Sequence, residues 1–194
     1  IQITSPSKHS PSRYKISFKK LFIKFLRPFD VDIKVYDPYL ASEIPNALGF
    51  VKTSIDNVLS QSQVIVCLAP LTPATRNMLS KEEFELIKPN SVFINVSRGA
   101  IVDSQALISR LKKGDIVAGL DVFDPEPIPP DSEIIKLDNV FLTPHIAGVT
   151  ASGYPRFFTL MVDELERFAQ GHDPMFELNS RSIATVSYTH LRAH

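Results

Sequence analysis

Val64-Ile-Val-Cys-Leu-Ala-Pro70 is the first of four short apolar runs, each followed directly by polar residues. The other three are Ser91-Val-Phe-Ile-Asn-Val96, Val117-Ala-Gly-Leu120 and Val140-Phe-Leu142. Segments with helical periodicity separate the runs. Apolar runs of this length, divided by amphipathic helices, are typical of the buried strands of a parallel sheet. The pattern therefore predicts an α/β fold built on a parallel sheet.

Capping residues predict where the intervening helices begin and end. Ser80 and Glu83 have the spacing of a capping box, in which each side chain bonds the backbone of the other residue. Asp103 is suited to cap the next helix, and Gly114 is suited to end it.

Three side chains suited to acid–base chemistry follow the apolar runs. Arg98 comes after the second run, Glu126 after the third and His145 after the fourth. In parallel α/β sheets, ligands gather at the carboxyl ends of the strands. A histidine titrates near neutral pH, a carboxylate can orient it, and an arginine can hold a planar carboxylate in two places. From spacing alone, a surface ion pair and a structural histidine explain these residues equally well.

Four motifs around these residues resemble the D-isomer-specific 2-hydroxyacid dehydrogenases. They are Leu68-Ala-Pro-Leu-Thr-Pro-Ala-Thr-Arg76, Ile94-Asn-Val-Ser-Arg-Gly-Ala-Ile-Val-Asp103, Ala118-Gly-Leu-Asp-Val-Phe-Asp-Pro-Glu-Pro127 and Leu142-Thr-Pro-His-Ile-Ala-Gly148. The resemblance extends from about Pro28 to about Asn179. It implies a Rossmann-like doubly wound parallel sheet.

The resemblance also implies a reaction, in which a hydride passes between NAD(H) and C2 of a small 2-hydroxy or 2-oxo acid. Arg98 would bind the substrate carboxylate, His145 would be the general acid and base, and Glu126 would pair with His145. Within the family, the proline-rich loop after Asp121 resembles phosphoglycerate or glyoxylate/hydroxypyruvate reductases more than the formate or phosphite branches. The family further implies a homodimer for the intact protein, a cytoplasmic location, and no nucleic-acid, membrane or metal partner.

A set of cofactor-binding residues follows from the same resemblance. Asp37 ends a strand predicted for residues 31–36, where it would bond the ribose hydroxyls of NAD and disfavour the 2′-phosphate of NADP. The alternative, from the pattern alone, is that Asp37 is a solvated turn residue. The other implied cofactor contacts are Pro38, Ala69, Pro70, Val96, Ser97, Asp121 and Gly148.

The chain departs from the family pattern before Pro28. Residues 1–29 hold seven of the 21 Lys and Arg residues and no acid, although the net charge of the chain is zero. The family's first strand and glycine-rich turn belong here, yet the first glycine is Gly49. Because those glycines let the backbone approach the pyrophosphate, the cofactor motif is divergent or missing at its start. Residues 16–27 have the spacing of a basic amphipathic helix, for which a membrane-surface or targeting role is the alternative.

These observations divide the chain into four parts. Residues 1–27 are a divergent basic segment, and residues 28–150 are the NAD-binding domain. Residues 151–179 are the helix that crosses to the substrate domain with a remnant of that domain, and residues 180–194 are a disordered tail. Because nothing else resembles the substrate domain, we expect a partial chain that is misframed before Pro28 and carries foreign sequence after about Thr185.

Two further residue patterns limit the function. The single cysteine, Cys67, excludes a disulfide framework and is more typical of a core residue than of a nucleophile. An aromatic stripe from Tyr154 to Phe168 predicts a long amphipathic helix used in a core or dimer contact rather than at a ligand site. Two functional alternatives stay open: a non-catalytic dinucleotide-sensing module on the same fold, and a truncated fragment that neither binds nor turns over.

Overall fold

The computed structural model describes residues 18–40, 44–148, 151 and 153–176. Six parallel strands in this part of the chain form two sheets. The smaller sheet pairs β1 (Lys34–Val35) with β2 (Val51–Lys52). The larger sheet consists, in spatial order, of β3 (Val64–Cys67), β4 (Val92–Asn95), β5 (Val117–Leu120) and β6 (Val140–Leu142). The predicted parallel α/β fold is confirmed.

The helices are α1 (Phe18–Leu26), α2 (Ile44–Leu48), α3 (Ile55–Gln61), α4 (Lys81–Leu86), α5 (Ser104–Leu111) and α6 (Tyr154–Ala169), with 3-10 turns at Arg27–Phe29, Gly99–Ile101 and Glu133–Lys136. Helices α2 to α5 lie in sequence between the strands, while α1 precedes β1 and α6 follows β6. α1 confirms the described part of the helix predicted for residues 16–27. The predictions for residues 1–17 and for the tail lie outside the described residues.

The four strands of the larger sheet end level with one another. Cys67 lies opposite Asn95, Asn95 opposite Leu120, and Leu120 opposite Leu142. Because all four strands run in the same direction, the loops that follow them leave the sheet at one edge, here called the carboxyl edge. The loops that carry Arg98, Glu126 and His145 all begin there.

The predicted helix caps are present. The Glu83 carboxylate accepts hydrogen bonds from the backbone N–H of Ser80 at 2.9 Å and from its hydroxyl at 2.5 Å. Burial raises the pKa of Glu83, but these bonds outweigh that effect and leave its pKa below the ordinary value. Asp103 accepts a bond of 2.9 Å from the backbone N–H of Ala106 at the start of α5. Gly114 adopts φ 73° just after α5, as expected of a helix-ending glycine.

The core packs α3, α4 and α5 against the larger sheet. Phe84 of α4 and Phe93 of β4 are fully buried and meet edge to face, with ring centroids 5.3 Å apart. Cys67 is also fully buried, in agreement with the prediction of a core residue. None of the helices in the described ranges has the length and apolarity that crossing a bilayer requires.

α6 differs from the other helices because its apolar stripe is exposed. It begins at Tyr154 as predicted, and the stripe residues Tyr154, Phe158, Met161, Leu165 and Phe168 are all more than half exposed. They follow one another at alternating spacings of four and three residues, so they lie on one face of the helix. The predicted role of this stripe in a core contact is therefore not met within the described residues.

Candidate active site

Two of the three predicted catalytic side chains meet at the carboxyl edge. The Nδ1 atom of His145 lies 2.6 Å from Oε1 of Glu126, although the two residues come from loops that follow different strands. Both side chains are accessible, with exposed fractions of 42% and 37%. Because the carboxylate engages Nδ1, Nε2 is the ring atom that can exchange a proton with a bound molecule.

The backbone of His145 adopts an unusual conformation. Its φ angle is 54°, in the left-handed region, which costs a residue with a side chain about 1–2 kcal/mol. Non-glycine residues in this region cluster at functional sites, where the surrounding structure holds them in place. The bonds that hold the His145 loop are therefore part of the site.

Asp121 holds this loop from β5. Its side chain is 3% exposed and accepts bonds from the Thr143 hydroxyl at 2.6 Å and from the backbone N–H groups of Ile146 at 2.8 Å and Ala147 at 2.9 Å. Burial raises the pKa of Asp121, but these three bonds and the nearby His145 outweigh it and lower the pKa below its ordinary value. The carboxylate is thus ionised and fixes the residues on both sides of His145. Its predicted contact with the cofactor stays a prediction.

The turn that carries Arg98 is held by a side chain to which the sequence assigned no role. Asn95 is 1% exposed, donates to the carbonyl of Arg98 at 3.2 Å and accepts from the backbone N–H of Ser97 at 3.1 Å. The guanidinium of Arg98 donates to the carbonyl of Ser97 at 2.7 Å. Within the described residues, Arg98 forms no ion pair and is not bonded to Glu126 or His145, so it retains donors for an anionic ligand.

The predicted cofactor residues fall into two groups. Ala69, Pro70, Val96 and Ser97 lie together where β3 and β4 end, because the Ser97 hydroxyl donates to the carbonyl of Ala69. The carbonyl of Pro70 accepts from the hydroxyl of Thr75 at 2.7 Å. Gly148 is exposed at the end of the His145 loop. These residues lie at the same edge of the sheet as the loops that carry Glu126 and His145.

Asp37 and Pro38 form the second group, after β1. Asp37 accepts a bond of 3.0 Å from the backbone N–H of Tyr39, which makes it a turn residue. It is nevertheless only 1% exposed, so the alternative of a solvated side chain is wrong. Pro38 beside it is exposed. The ribose-binding role of Asp37 stays a prediction.

Asn95 and Thr143 are the site-building residues that sequence reasoning missed. Asn95 is the last residue of its strand, and Thr143 directly follows its strand. A polar residue in this position was the signal in the sequence that could have identified both. No group of three side chains that could hold a metal ion occurs in the described ranges. The side chains of His145 and Arg98 are suited to proton transfer and to anion binding, respectively.

Comparison with known proteins places this arrangement in a family. The sequence model of the family described as D-isomer specific 2-hydroxyacid dehydrogenase, NAD binding domain, matches residues 20–147. The glyoxylate reductase of Thermococcus litoralis is 38% identical over 165 residues, which are 84% of this chain and 49% of that protein. The D-3-phosphoglycerate dehydrogenase of Methanocaldococcus jannaschii is 33% identical over 151 residues, which are 77% of this chain and 29% of that protein.

The chain is also similar to a solved structure. D-lactate dehydrogenase with NAD+ from Lactobacillus jensenii has a TM-score of 0.75 and 26% identity, over 82% of this chain and 52% of that one. Fold and site together define a Rossmann-like dinucleotide-binding domain. The chain belongs to the D-isomer specific 2-hydroxyacid dehydrogenase family, through the NAD-binding domain, as its sequence predicted. It spans about half the length of the curated glyoxylate reductases it matches.

Proposed function

We propose that this chain supplies the cofactor-binding and proton-transferring half of an NAD-dependent D-2-hydroxyacid dehydrogenase. The observation that carries this proposal is the 2.6 Å contact between Glu126 and His145. A carboxylate on Nδ1 fixes the ring and stabilises the imidazolium, while Nε2 stays available to the substrate oxygen. A surface ion pair would have no need of the buried Asp121 that holds the His145 loop.

Each side chain of the trio has one role in this proposal. His145 gives its Nε2 proton to the carbonyl oxygen of a 2-oxo acid and takes it back from the hydroxyl group in the reverse reaction. Glu126 holds the proton on Nδ1. Arg98 binds the substrate carboxylate and thereby sets the position of C2. NAD(H), when bound, supplies or accepts the hydride at C2.

The cofactor would lie along the carboxyl edge. Ala69, Pro70, Val96, Ser97, Asp121 and Gly148 would surround its nicotinamide end, and Asp37 and Pro38 its adenosine end. This placement is supported by the bond between the loops after β3 and β4, which brings Ser97 and Ala69 together at the carboxyl edge. We further propose that Asp37 favours NAD over NADP, because a carboxylate there repels a 2′-phosphate.

The substrate in this proposal is a small 2-oxo or 2-hydroxy acid. The matched relatives are named for glyoxylate and for 3-phosphoglycerate, which are both acids of this kind. Arg98 suits this class because a guanidinium binds a carboxylate in two places. Substrate choice within the class would depend on the other half of the protein.

The organisation of the whole protein is also a proposal. Residues 28–150 would form the NAD-binding domain, and residues 151–179 would cross to the substrate domain. The exposed stripe on α6 supports this arrangement, since a contiguous apolar face on a helix is expected to be covered by another surface. A homodimer and a cytoplasmic location complete the proposal by analogy with the family.

The experiment is an assay of NADH oxidation by the purified chain, with glyoxylate, hydroxypyruvate and phosphohydroxypyruvate tested in turn. His145→Ala removes the proton donor and should lower kcat by about 10²–10⁴-fold. His172→Ala is the matched control, because His172 is exposed, follows α6 and is bonded through its backbone to Arg167. This control should retain the wild-type rate.

Two results would contradict the proposal. Oxidation that continues unchanged in His145→Ala would remove His145 from the chemistry. Saturable NADH binding with no turnover of any 2-oxo acid would favour the non-catalytic dinucleotide-sensing module.

A further inference from the structure

Gly99 is in direct contact with the backbone of the loop that carries Glu126. A Cβ atom at position 99 would overlap the Cα atom and the carbonyl group of Phe123. Real side chains do not tolerate such an approach, so residue 99 can only be glycine while Phe123 stays where it is. Gly99 directly follows Arg98, and Phe123 lies three residues before Glu126. The contact therefore joins the segments that carry two of the three proposed catalytic side chains.

The turn that contains Gly99 is also bonded to a second segment of the backbone. The backbone N–H of Asn77 donates to the carbonyl of Ala100 at 2.9 Å, and that of Leu79 donates to the carbonyl of Ile101 at 3.1 Å. These bonds fix the 3-10 turn Gly99–Ile101 to the segment before α4. An added side chain at position 99 would therefore displace Phe123 rather than the turn.

Asp124 provides a second attachment beside the first. The hydroxyl of Ser104, at the start of α5, donates to the carbonyl of Asp124 at 2.9 Å. The carboxylate of Asp124 also lies 3.6 Å from the guanidinium of Arg76. The loop is thus held at two consecutive residues, by its backbone contact with Gly99 and by its carbonyl bond to Ser104.

The attachments at Phe123 and Asp124 act on Glu126 because the intervening chain is stiff. Pro125 and Pro127 flank Glu126, and proline fixes the φ angle of the backbone. The attachments at Phe123 and Asp124 therefore limit where the side chain of Glu126 can lie.

We propose that Gly99 and Ser104 are positioning residues, which keep the Glu126 carboxylate on Nδ1 of His145 by fixing Phe123 and Asp124. This role rests on the proposed function, because it concerns the same acid–base pair. It adds a mechanical link between the segment that would bind the substrate carboxylate and the segment that orients the general acid. Neither residue touches the substrate in this account.

The test reads the His145 ring directly and needs neither cofactor nor turnover. The ¹⁵N chemical shifts of a histidine ring report which nitrogen carries the proton in the neutral form, and a carboxylate on Nδ1 favours the Nδ1–H tautomer. The experiment records these shifts for wild type and for Gly99→Ala, Ser104→Ala, Ser104→Thr and Gly119→Ala. The chain contains five histidines, so His145→Ala is needed to identify the resonances of His145 among them.

The expected result is a graded loss of the Nδ1–H tautomer. Gly99→Ala should lower the ratio of Nδ1–H to Nε2–H by about tenfold, the factor that corresponds to losing a hydrogen bond to a charged group. Ser104→Ala should lower it less, and Ser104→Thr should restore it because the hydroxyl is kept. Gly119→Ala is the matched control, since a Cβ there meets only a side-chain atom of Ile94 at 3.9 Å, and it should leave the ratio unchanged.

A folded Gly99→Ala chain with the wild-type ratio would overturn the proposal. If Gly99→Ala fails to fold, Ser104→Ala decides, and an unchanged ratio in that variant would overturn it. Glu126→Ala, which removes the acceptor, separates this proposal from the proposed function. If Glu126→Ala leaves the ratio as in wild type, the pair does not form in solution and both proposals fail. If Glu126→Ala changes the ratio while Gly99→Ala and Ser104→Ala do not, only the positioning role fails.

Discussion

The carboxyl edge of the larger sheet and the helix α6 are built on opposite principles. At the edge, the polar side chains are bonded to one another and to backbone groups, as Asp121 is to Thr143, Ile146 and Ala147. On α6, one face carries an apolar stripe that is more than half exposed. The Asp121 carboxylate at the edge is therefore paired within the described residues, whereas these residues leave the stripe on α6 exposed.

This contrast indicates which part of the fold sets the geometry of the site. Glu126 and His145 are held by loops of the sheet, and none of the bonds that fix these loops comes from α6. The local chemistry of the site should therefore depend on the sheet.

The largest expected effect compares one phenylalanine from each region. Phe93→Ala removes a fully buried ring that packs edge to face on Phe84, and it should lower the free energy of unfolding by about 3–5 kcal/mol. Phe158→Ala on α6, where the ring is 70% exposed, should change it by less than about 0.5 kcal/mol. Urea denaturation followed by circular dichroism measures both. Equal losses would show that α6 is packed as tightly as the sheet.

The next effect tests whether the bonds of Asp121 stabilise the carboxyl edge. Asp121→Ala leaves the backbone N–H groups of Ile146 and Ala147 without their acceptor and should lower the free energy of unfolding by about 1–3 kcal/mol at pH 7. Thermal or urea unfolding checks this value. A variant as stable as wild type would mean that the His145 loop holds its conformation without Asp121.

The same residue predicts a pH dependence. The pKa of Asp121 is lower in the folded chain than the ordinary value of about 3.9 in the unfolded chain. Its contribution to stability is therefore fully present above that ordinary value and is lost as the pH falls through the lower, folded-state pKa. Urea midpoints between neutral and acidic pH should fall more steeply for wild type than for Asp121→Ala. Parallel curves would contradict the lowered pKa.

A smaller effect is expected at a helix cap on the sheet side. Ser80→Ala removes the hydroxyl that donates to Glu83 at the start of α4 and should lower the free energy of unfolding by about 1 kcal/mol. Ser60→Ala is the control, because the Ser60 hydroxyl donates only within α3, to the carbonyl of Asp56. The control should match wild type in urea denaturation. If both variants lose the same stability, the capping box contributes nothing specific.

The smallest effect concerns the exposed ion pair between α4 and the end of α5. Lys113 lies 2.6 Å from Glu85 and its bond lowers the pKa of that carboxyl, yet both side chains are about half exposed. Because water and salt screen such pairs, Lys113→Ala should leave the urea midpoint unchanged within error, at low and at high salt. A clear loss at low salt would show that charge, and not burial alone, distinguishes the sheet from α6.

The strands, the caps and the acid–base pair could be predicted because each leaves a local pattern. Apolar runs mark the strands, Ser80 with Glu83 marks a cap, and the Thr-Pro-His and Asp-Pro-Glu-Pro motifs mark the pair. The internal use of Asp121 could not be predicted, since its partners lie 22 to 26 residues away. The contact of Gly99 with Phe123 and the burial of Asp37 likewise depend on how the loops pack, which no spacing encodes.

The most direct test of the central claim, that the carboxyl edge forms an NAD(H) site, is a fluorescence titration of the purified chain with NADH, with NADPH alongside. The chain contains no tryptophan, so the nicotinamide signal can be followed without that source of interference. If the carboxyl edge binds NAD(H), the titration will show saturable binding of NADH and weaker binding of NADPH. An absence of saturable NADH binding up to millimolar cofactor would contradict the central claim, and the reading of a fragment that keeps the family's motifs without a working site would stand.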